Sequence, residues 1–165
     1  MDNLENDKVK NKALNNAYML LRIRPRSERE IRDRLKLKGY ERGLVEDMVA
    51  SLKKTGEIDD LKFATFWIQS RMHQNPAGDV VLKHELKHKG VEPDVIEAVL
   101  KHKAENYDEY AIALPMAEER FRRFGKIDRR KALKRVYDFM LRRGFKYDTV
   151  QRIISELTEN YNDDQ

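Results

Sequence analysis

Three glycines set a register that limits what this chain can fold into. Around Gly39 the sequence reads Leu35-Lys36-Leu37-Lys38-Gly39-Tyr40, around Gly90 Leu86-Lys87-His88-Lys89-Gly90-Val91, and around Gly144 Met140-Leu141-Arg142-Arg143-Gly144-Phe145. The spacings, 51 and 54 residues, are those of a tandem repeat. Eight residues before each glycine stands Ile31, Leu82 or Val136, and four before it Leu35, Leu86 or Met140, an i, i+4 apolar pair on one helical face. After each glycine the apolar positions again follow a helical period: Val45, Met48 and Val49, then Ile96, Val99 and Leu100, then Val150, Ile153 and Ile154. A basic last turn, a glycine and an apolar residue mark a helix that stops in a left-handed cap, a backbone state glycine enters without a Cβ penalty. Each repeat therefore holds a helix, a glycine turn and a second helix.

A further helix precedes each pair. Ala13 to Leu21 (Leu14, Ala17, Tyr18, Leu21) and Phe63 to Ile68 (Phe63, Phe66, Trp67) supply the apolar faces, and the third such helix runs from about Tyr107 to Phe124. Pro115 either kinks this third helix or begins it. Starts are marked elsewhere: Pro25 breaks the preceding helix, Ser27-Glu28-Arg29-Glu30 is a capping box, Asp59 and Asp60 can cap the next helix, and Pro93 suits a first turn. Period-two alternation is missing. The expected fold is all-α: three tandem three-helix repeats, about nine helices, in an elongated arrangement. The repeats divide at residues 1–55, with a polar N-terminal lead, 56–105, and 106–165, with an acidic C-terminal tail. Units of about 50 residues bury little core alone, so neighbours are expected to support one another.

Composition narrows the function classes. There is no cysteine, which removes disulfide scaffolds, cysteine-ligated zinc and thiol chemistry, and a reducing, cytoplasmic location is expected. No apolar run reaches the roughly 18 residues of a membrane span, and the polar lead lacks the apolar core of a secretion signal, so no membrane partner is expected. Charged residues make up 38% of the chain, and they are clustered. Arg22 to Lys38 carries eight basic residues against three acidic ones, and Arg120 to Lys146 twelve, Lys126 among them, against two. From Ser155 onward Glu156, Glu159, Asp163 and Asp164 stand with no lysine or arginine. Such basic clusters attract polyanions or an acidic protein surface by salt-sensitive steering; a plain solvated helical surface is the alternative.

Catalytic signals do not survive their context. His84-Glu85-Leu86-Lys87-His88 matches HExxH, in which two imidazoles ligate zinc and the glutamate activates a water. Here His84 and His88 stand two residues beyond the core positions Leu82 and Leu86, about 200° around the helix, and the equivalent positions in the other repeats hold Asp33 and Leu37, and Asp138 and Arg142. A metal site at His84, Glu85 and His88 is therefore rejected, and no cofactor is expected. No phosphate-cradling glycine loop or nucleophile elbow occurs. Phe63, Phe66 and Trp67 have the spacing of a buried face, which is preferred to a base-stacking platform. Sequence-specific duplex reading is disfavoured because the helices after the glycine turns begin with acidic or mixed residues, Glu41-Arg42, Glu92-Pro93-Asp94 and Lys146-Tyr147-Asp148.

From about Ala13 to Leu157 the chain resembles the RecX family of bacterial regulators of the RecA recombinase. The resemblance rests on Arg24-Pro25-Arg26-Ser27 through Ile31, Leu35 and Lys38-Gly39-Tyr40, on Ile58-Asp59-Asp60 with Phe63-Ala64 and Arg71, on Gly78, Leu82, Glu85-Leu86 and Lys89-Gly90-Val91, and on Arg142-Arg143-Gly144-Phe145. It implies the three-helix-repeat fold and a non-enzymatic protein, expected to be a monomer. Such a protein binds RecA and its nucleoprotein filament and inhibits recombinase, ATPase and coprotease activity by lying in the filament groove or blocking filament extension. The alternative is a general DNA-backbone binder, weak and not sequence-specific, on single- or double-stranded DNA, that affects recombination only by competing for DNA. By charge the contact candidates are Arg24, Arg26, Arg29, Arg32 and Lys36 in the first repeat and Arg122, Arg123, Arg129, Arg130, Lys134, Arg142 and Arg143 in the last. Of these only Arg24, Arg26, Arg142 and Arg143 fall on the family's own motif, and Arg26 and Arg142 are also suited to helix capping.

Overall fold

A computed structural model describes residues 2–125 and 127–160, with side chains from Glu5 onward. Lys126 of the second basic cluster, and Asp163 and Asp164 of the acidic segment, lie outside the described residues. Among the described residues there are nine α-helices and no strand: α1 (Asp2–Leu21), α2 (Glu28–Leu37), α3 (Arg42–Lys54), α4 (Asp60–Gln74), α5 (Asp79–His88), α6 (Pro93–Asn106), α7 (Glu109–Arg122), α8 (Arg129–Arg142) and α9 (Tyr147–Asn160). The chain divides into two compact units, one of residues 1–67 and 86–99, the other of residues 68–85 and 100–165, so that α4, α5 and α6 are each shared between them.

In the first unit α1, α2 and α3 pack pairwise around Ala17, Ile31, Leu35, Val45, Val49, Leu52 and Ile58. Phe63, Ala64, Leu86, Val91, Ile96 and Val99 are buried with them as this unit's share of α4 to α6. In the second unit α7, α8 and α9 pack pairwise around Ala113, Ala117, Val136, Met140, Phe145, Val150, Ile153 and Leu157. Ile68, Met72, Ala77 and Leu82 are the buried apolar residues it takes from the middle repeat. The apolar pairs placed before the glycines, Ile31 with Leu35, Leu82 with Leu86 and Val136 with Met140, are all fully buried.

The three glycine turns are built alike. Gly39, Gly90 and Gly144 have φ of 84°, 80° and 81°. Each glycine N–H donates to the carbonyl three residues back, and the next residue's N–H donates to the carbonyl five back: Tyr40 to Leu35, Val91 to Leu86 and Phe145 to Met140. These two bonds satisfy helix-end carbonyls as a Schellman motif does. Starts also follow the sequence. Ser27 Oγ accepts from Glu30 N–H while the Glu30 carboxylate accepts from Ser27 N–H, completing the capping box. Asp59 Oδ1 accepts from the N–H groups of Leu61 and Lys62 and so caps α4. Asp60 does something else: its Oδ1 accepts from Glu28 N–H at 2.9 Å, satisfying an orphan donor at the start of α2. Pro93 is the first residue of α6.

Two expectations are modified. Pro115 does not begin α7, which starts at Glu109 under the Asp108 cap and runs through the proline to Arg122; Ala113 and Ala117 on either side are fully buried, and their packing offsets the hydrogen bond Pro115 cannot donate. The polar lead is also helical. α1 begins at Asp2, eleven residues before the first predicted helical position. Residues 5–12 are exposed, so they carry no apolar stripe to read, and they extend a helix already nucleated by the packed part of α1.

Candidate functional site

In the first unit part of the basic cluster is committed to the fold. Arg24 grips Glu30 with both guanidinium nitrogens, each at 3.0 Å, donates to the Pro25 carbonyl at 2.8 Å and sits 6.0 Å from the centre of the buried Phe63 ring. Lys89 approaches the same carboxylate at 2.9 Å, and its ammonium lies 4.8 Å from the Trp67 ring centre. Burial alone raises a carboxyl pKa, but at Glu30 the hydrogen bonds and charges of Arg24 and Lys89 prevail and hold it down at about 2. The fully buried Ser27 closes the joint by donating its hydroxyl to the Lys89 carbonyl at 2.7 Å. Arg24, Ser27, Phe63 and Lys89, all drawn from the family-like motifs, are therefore gathered around one carboxylate.

The other first-repeat candidates divide. Arg32 is held by Glu46 at 2.9 Å and Glu28 at 3.3 Å; burial opposes its charge, yet the two carboxylates raise its pKa. Arg26 is half-buried, and its Nε has no hydrogen-bond partner among the described residues; burial first, then the Arg24 charge, lowers its pKa. It lines a cleft of ≈ 420 Å³ with Tyr18, Leu21, Arg22 and Lys62. Arg29 and Lys36 remain accessible, with only a loose pair each, to Asp33 at 3.7 Å and to Glu46 at 3.8 Å.

In the second unit the division is similar. Arg143 is half-buried, donates to Asn75 Oδ1 and to the Pro76 carbonyl, and has its pKa lowered by burial and then by the neighbouring Arg71 charge. Its own carbonyl accepts from Gly78 N–H at 2.9 Å. The backbones approach so closely here that a Cβ on Gly78 would stand 1.9 Å from the Gly144 carbonyl oxygen. Arg129 donates to the Thr158 carbonyl near the end of α9, and Arg123 pairs with Glu119. Arg122, Arg130, Lys134 and Arg142 are exposed, as are Lys131 and Arg135. On α8 the buried positions are Ala132, Val136 and Met140; Arg130 and Lys134, each two residues before one of these, stand about 200° away on the outer face.

The HExxH residues are placed as the sequence predicts for an outer helix face. His84 and His88 are exposed, and Glu85 is taken by Arg71 in an ion pair at 3.0 Å. No group of three or more His, Asp or Glu positioned to hold a metal ion occurs among the described residues. Phe63 is fully buried, while Phe66 and Trp67 are half-buried. One ionic site escapes sequence reasoning altogether. Lys103, 5% exposed, places its ammonium 2.6 Å from Asp79 and 3.8 Å from Glu109, and Lys146 reaches the other Asp79 oxygen at 3.6 Å. Its only signal is a lysine at the face of α6 that follows Ile96, Val99 and Leu100, which any reader assigns to solvent.

These observations define a class: an all-α repeat protein in which the family-like residues Arg24, Lys89 and Arg143 are bonded within the fold while many of the other cations are exposed. The chain matches the first, second and third three-helix domains of RecX at residues 13–52, 59–100 and 107–154. It is 35% identical over 149 residues to the regulatory protein RecX of Prosthecochloris aestuarii, spanning 90% of this chain and 95% of that one. It is 32% identical over 150 residues to that of Legionella pneumophila, spanning 91% and 97%. A crystal structure of RecX from Lactobacillus salivarius shares the fold, with a TM-score of 0.76 over 90% of this chain and 96% of that chain at 22% identity. The chain belongs to the RecX family of regulatory proteins. Among the described residues no helix is long and apolar enough to cross a membrane.

Proposed function

We propose that this protein regulates the RecA recombinase by binding its nucleoprotein filament and lowering strand exchange, ATP hydrolysis and coprotease activity, as a cytoplasmic, non-enzymatic monomer. The observation that carries the reading is the match to all three RecX domains in order. Exposure favours some of the contact candidates over others. Arg24, Arg32 and Arg143 each have at least two internal partners, and moving them to an external ligand would break those bonds. Arg29, Lys36, Arg122, Arg130, Lys134 and Arg142 are exposed and can meet phosphate or carboxylate at little cost to the fold. Several weak contacts to a periodic filament add through effective concentration.

A second reading, competition for the DNA backbone alone, draws on the exposed row Arg130, Lys131, Lys134 and Arg135 at helical spacing on α8. The two are separated by measuring binding, at about 150 mM salt, to bare single-stranded DNA and to preformed RecA–ATP filaments on the same DNA, with filament ATPase followed in parallel. Preference for the filament, with ATPase falling at protein well below the DNA site concentration, is expected. Equal binding to both, with ATPase loss only when bare DNA is saturated, defeats the filament reading.

A further inference from the structure

Two arginines of the second unit are held by rings rather than by carboxylates. The Arg120 guanidinium lies 5.4 Å from the centre of the Phe124 ring and 4.9 Å from that of Phe139. The Arg135 guanidinium lies 5.5 Å from the centre of the same Phe124 ring. Cation–π attraction to half-buried rings fixes where these groups stand and leaves their N–H donors unspent. Neither arginine pairs with a carboxylate among the described residues. Glu119, beside Arg120, is taken by Arg123, and the Asp128 carboxylate accepts from Lys131 N–H to cap α8. Arg120 is half-buried, and its Nε is sealed from solvent without a hydrogen-bond partner. That cost is offset when an anion meets the same guanidinium.

A planar cation held in place with free donors suits an anion that offers several acceptor oxygens. The surroundings call for a polyanion, since residues 120–135 hold nine lysines and arginines against the single acid Asp128. Both guanidinium groups lie within 5.5 Å of one ring centre, so they are at most about 11 Å apart, which spans about three phosphates of one duplex strand at roughly 3.4 Å of axis per charge. We infer that Arg120 and Arg135 form a phosphate grip for one nucleic-acid strand, and that Phe124 presets it. Phe124 is a positioning residue: it meets no phosphate itself and acts by holding the two guanidinium groups. The inference rests on the DNA-contact reading above for the class of ligand. It adds to the exposed row on α8 a half-buried arginine of α7 and an uncharged ring.

The test is binding of the full chain to a fluorescent duplex of about twenty base pairs, followed from about 50 to 200 mM salt. Arg120→Gln and Arg135→Gln are each expected to weaken binding several-fold and to reduce the salt slope of log K by about 0.9. Phe124→Leu keeps every charge, so its slope is expected to stay while affinity falls about threefold, the effect of losing the ring under two cations. Arg135→Lys, at an exposed position, keeps the charge but not the planar fork and is expected to behave like Phe124→Leu; it decides the matter if circular dichroism shows Phe124→Leu unfolded. Unchanged slopes in both glutamine variants, or unchanged affinity in a folded Phe124→Leu, overturn the grip and leave the DNA-contact reading standing. No binding of the natural chain to the duplex at low salt sinks both together. Poly-L-aspartate that competes equally at equal charge, and loses as much affinity in Phe124→Leu, marks a general anion surface and overturns the assignment to phosphate.

Discussion

Glu30→Gln tests whether the carboxylate between Arg24 and Lys89 is a structural joint. The substitution keeps size and an acceptor oxygen but removes the charge, leaving two cations facing one neutral side chain. The depression from the usual 4.5 to about 2 sets an upper limit of ~3.4 kcal/mol at about 1.4 kcal/mol per pKa unit. The three side chains keep 14%, 25% and 29% of their exposure, so water and salt screen the pairs and the expected loss at pH 7 is nearer ~2 kcal/mol. The sign follows from linkage. A carboxyl whose folded pKa is lowered contributes fully above its unfolded value near 4.5, and the contribution disappears as pH falls toward 2.

By pH 3 about three fifths of it is gone. The gap in urea stability between the natural chain and Glu30→Gln is therefore expected to shrink from ~2 kcal/mol at pH 7 to below ~1 kcal/mol at pH 3. Asp60, in the same unit, has its pKa raised by burial, against the pull of the Glu28 N–H bond, and so favours the folded state on acidification. It is present in both chains and cancels in the difference. Trp67 is the single tryptophan, and it lies under Lys89, so its fluorescence reports unfolding at the joint itself. A gap that stays constant from pH 7 to pH 3, or no gap at pH 7, would refute the reasoning.

Four further outcomes are expected. Gly78→Ala places a methyl 1.9 Å from a backbone oxygen that cannot move without displacing the Gly144 turn, and is expected to cost about 3 kcal/mol by urea denaturation followed by circular dichroism. Lys103→Ala leaves Glu109 without its cation and Asp79 with only the more distant, exposed Lys146, and is expected to cost about 3 kcal/mol, with part regained in Lys103→Ala/Asp79→Ala. Ser27→Ala loses both the α2 cap and the bond to the Lys89 carbonyl and is expected to lower stability by about 1–2 kcal/mol. Arg130→Glu/Lys134→Glu is expected to leave the thermal midpoint nearly unchanged while weakening DNA or filament binding about tenfold or more, whereas Arg24→Ala lowers the midpoint first; the reverse pattern would mean that exposure does not mark the contact residues.

The helices were legible because they are amphipathic and punctuated. Ile31 with Leu35, Leu82 with Leu86 and Val136 with Met140 are spaced at the helical period, and each glycine does one backbone job that few residues can replace. The long start of α1 was not legible for the complementary reason: with residues 5–12 exposed, nothing in their pattern distinguishes a solvated helix from a solvated coil. Nor could the pattern show that Asp60 serves α2 rather than its own helix, since the Glu28 N–H lies 32 positions away.

The basic clusters show a different limit. Arginines are read by density along the chain, yet whether a guanidinium faces solvent or a carboxylate depends on partners distant in sequence. Arg24 and Arg29 are five residues apart in one cluster; the first is locked onto Glu30 against Phe63, and the second holds only an exposed i, i+4 neighbour. Arg142 and Arg143 are adjacent, and only Arg143 bonds to Asn75 and Pro76. Several residues that carry the family resemblance, the buried Ser27 and the half-buried Arg24, Lys89 and Arg143, are thus bonded into joints of the fold, whereas Arg142 of the same motif is exposed. The proposed contact residues are instead the exposed cations beside them, which at most a loose ion pair of the fold holds in place.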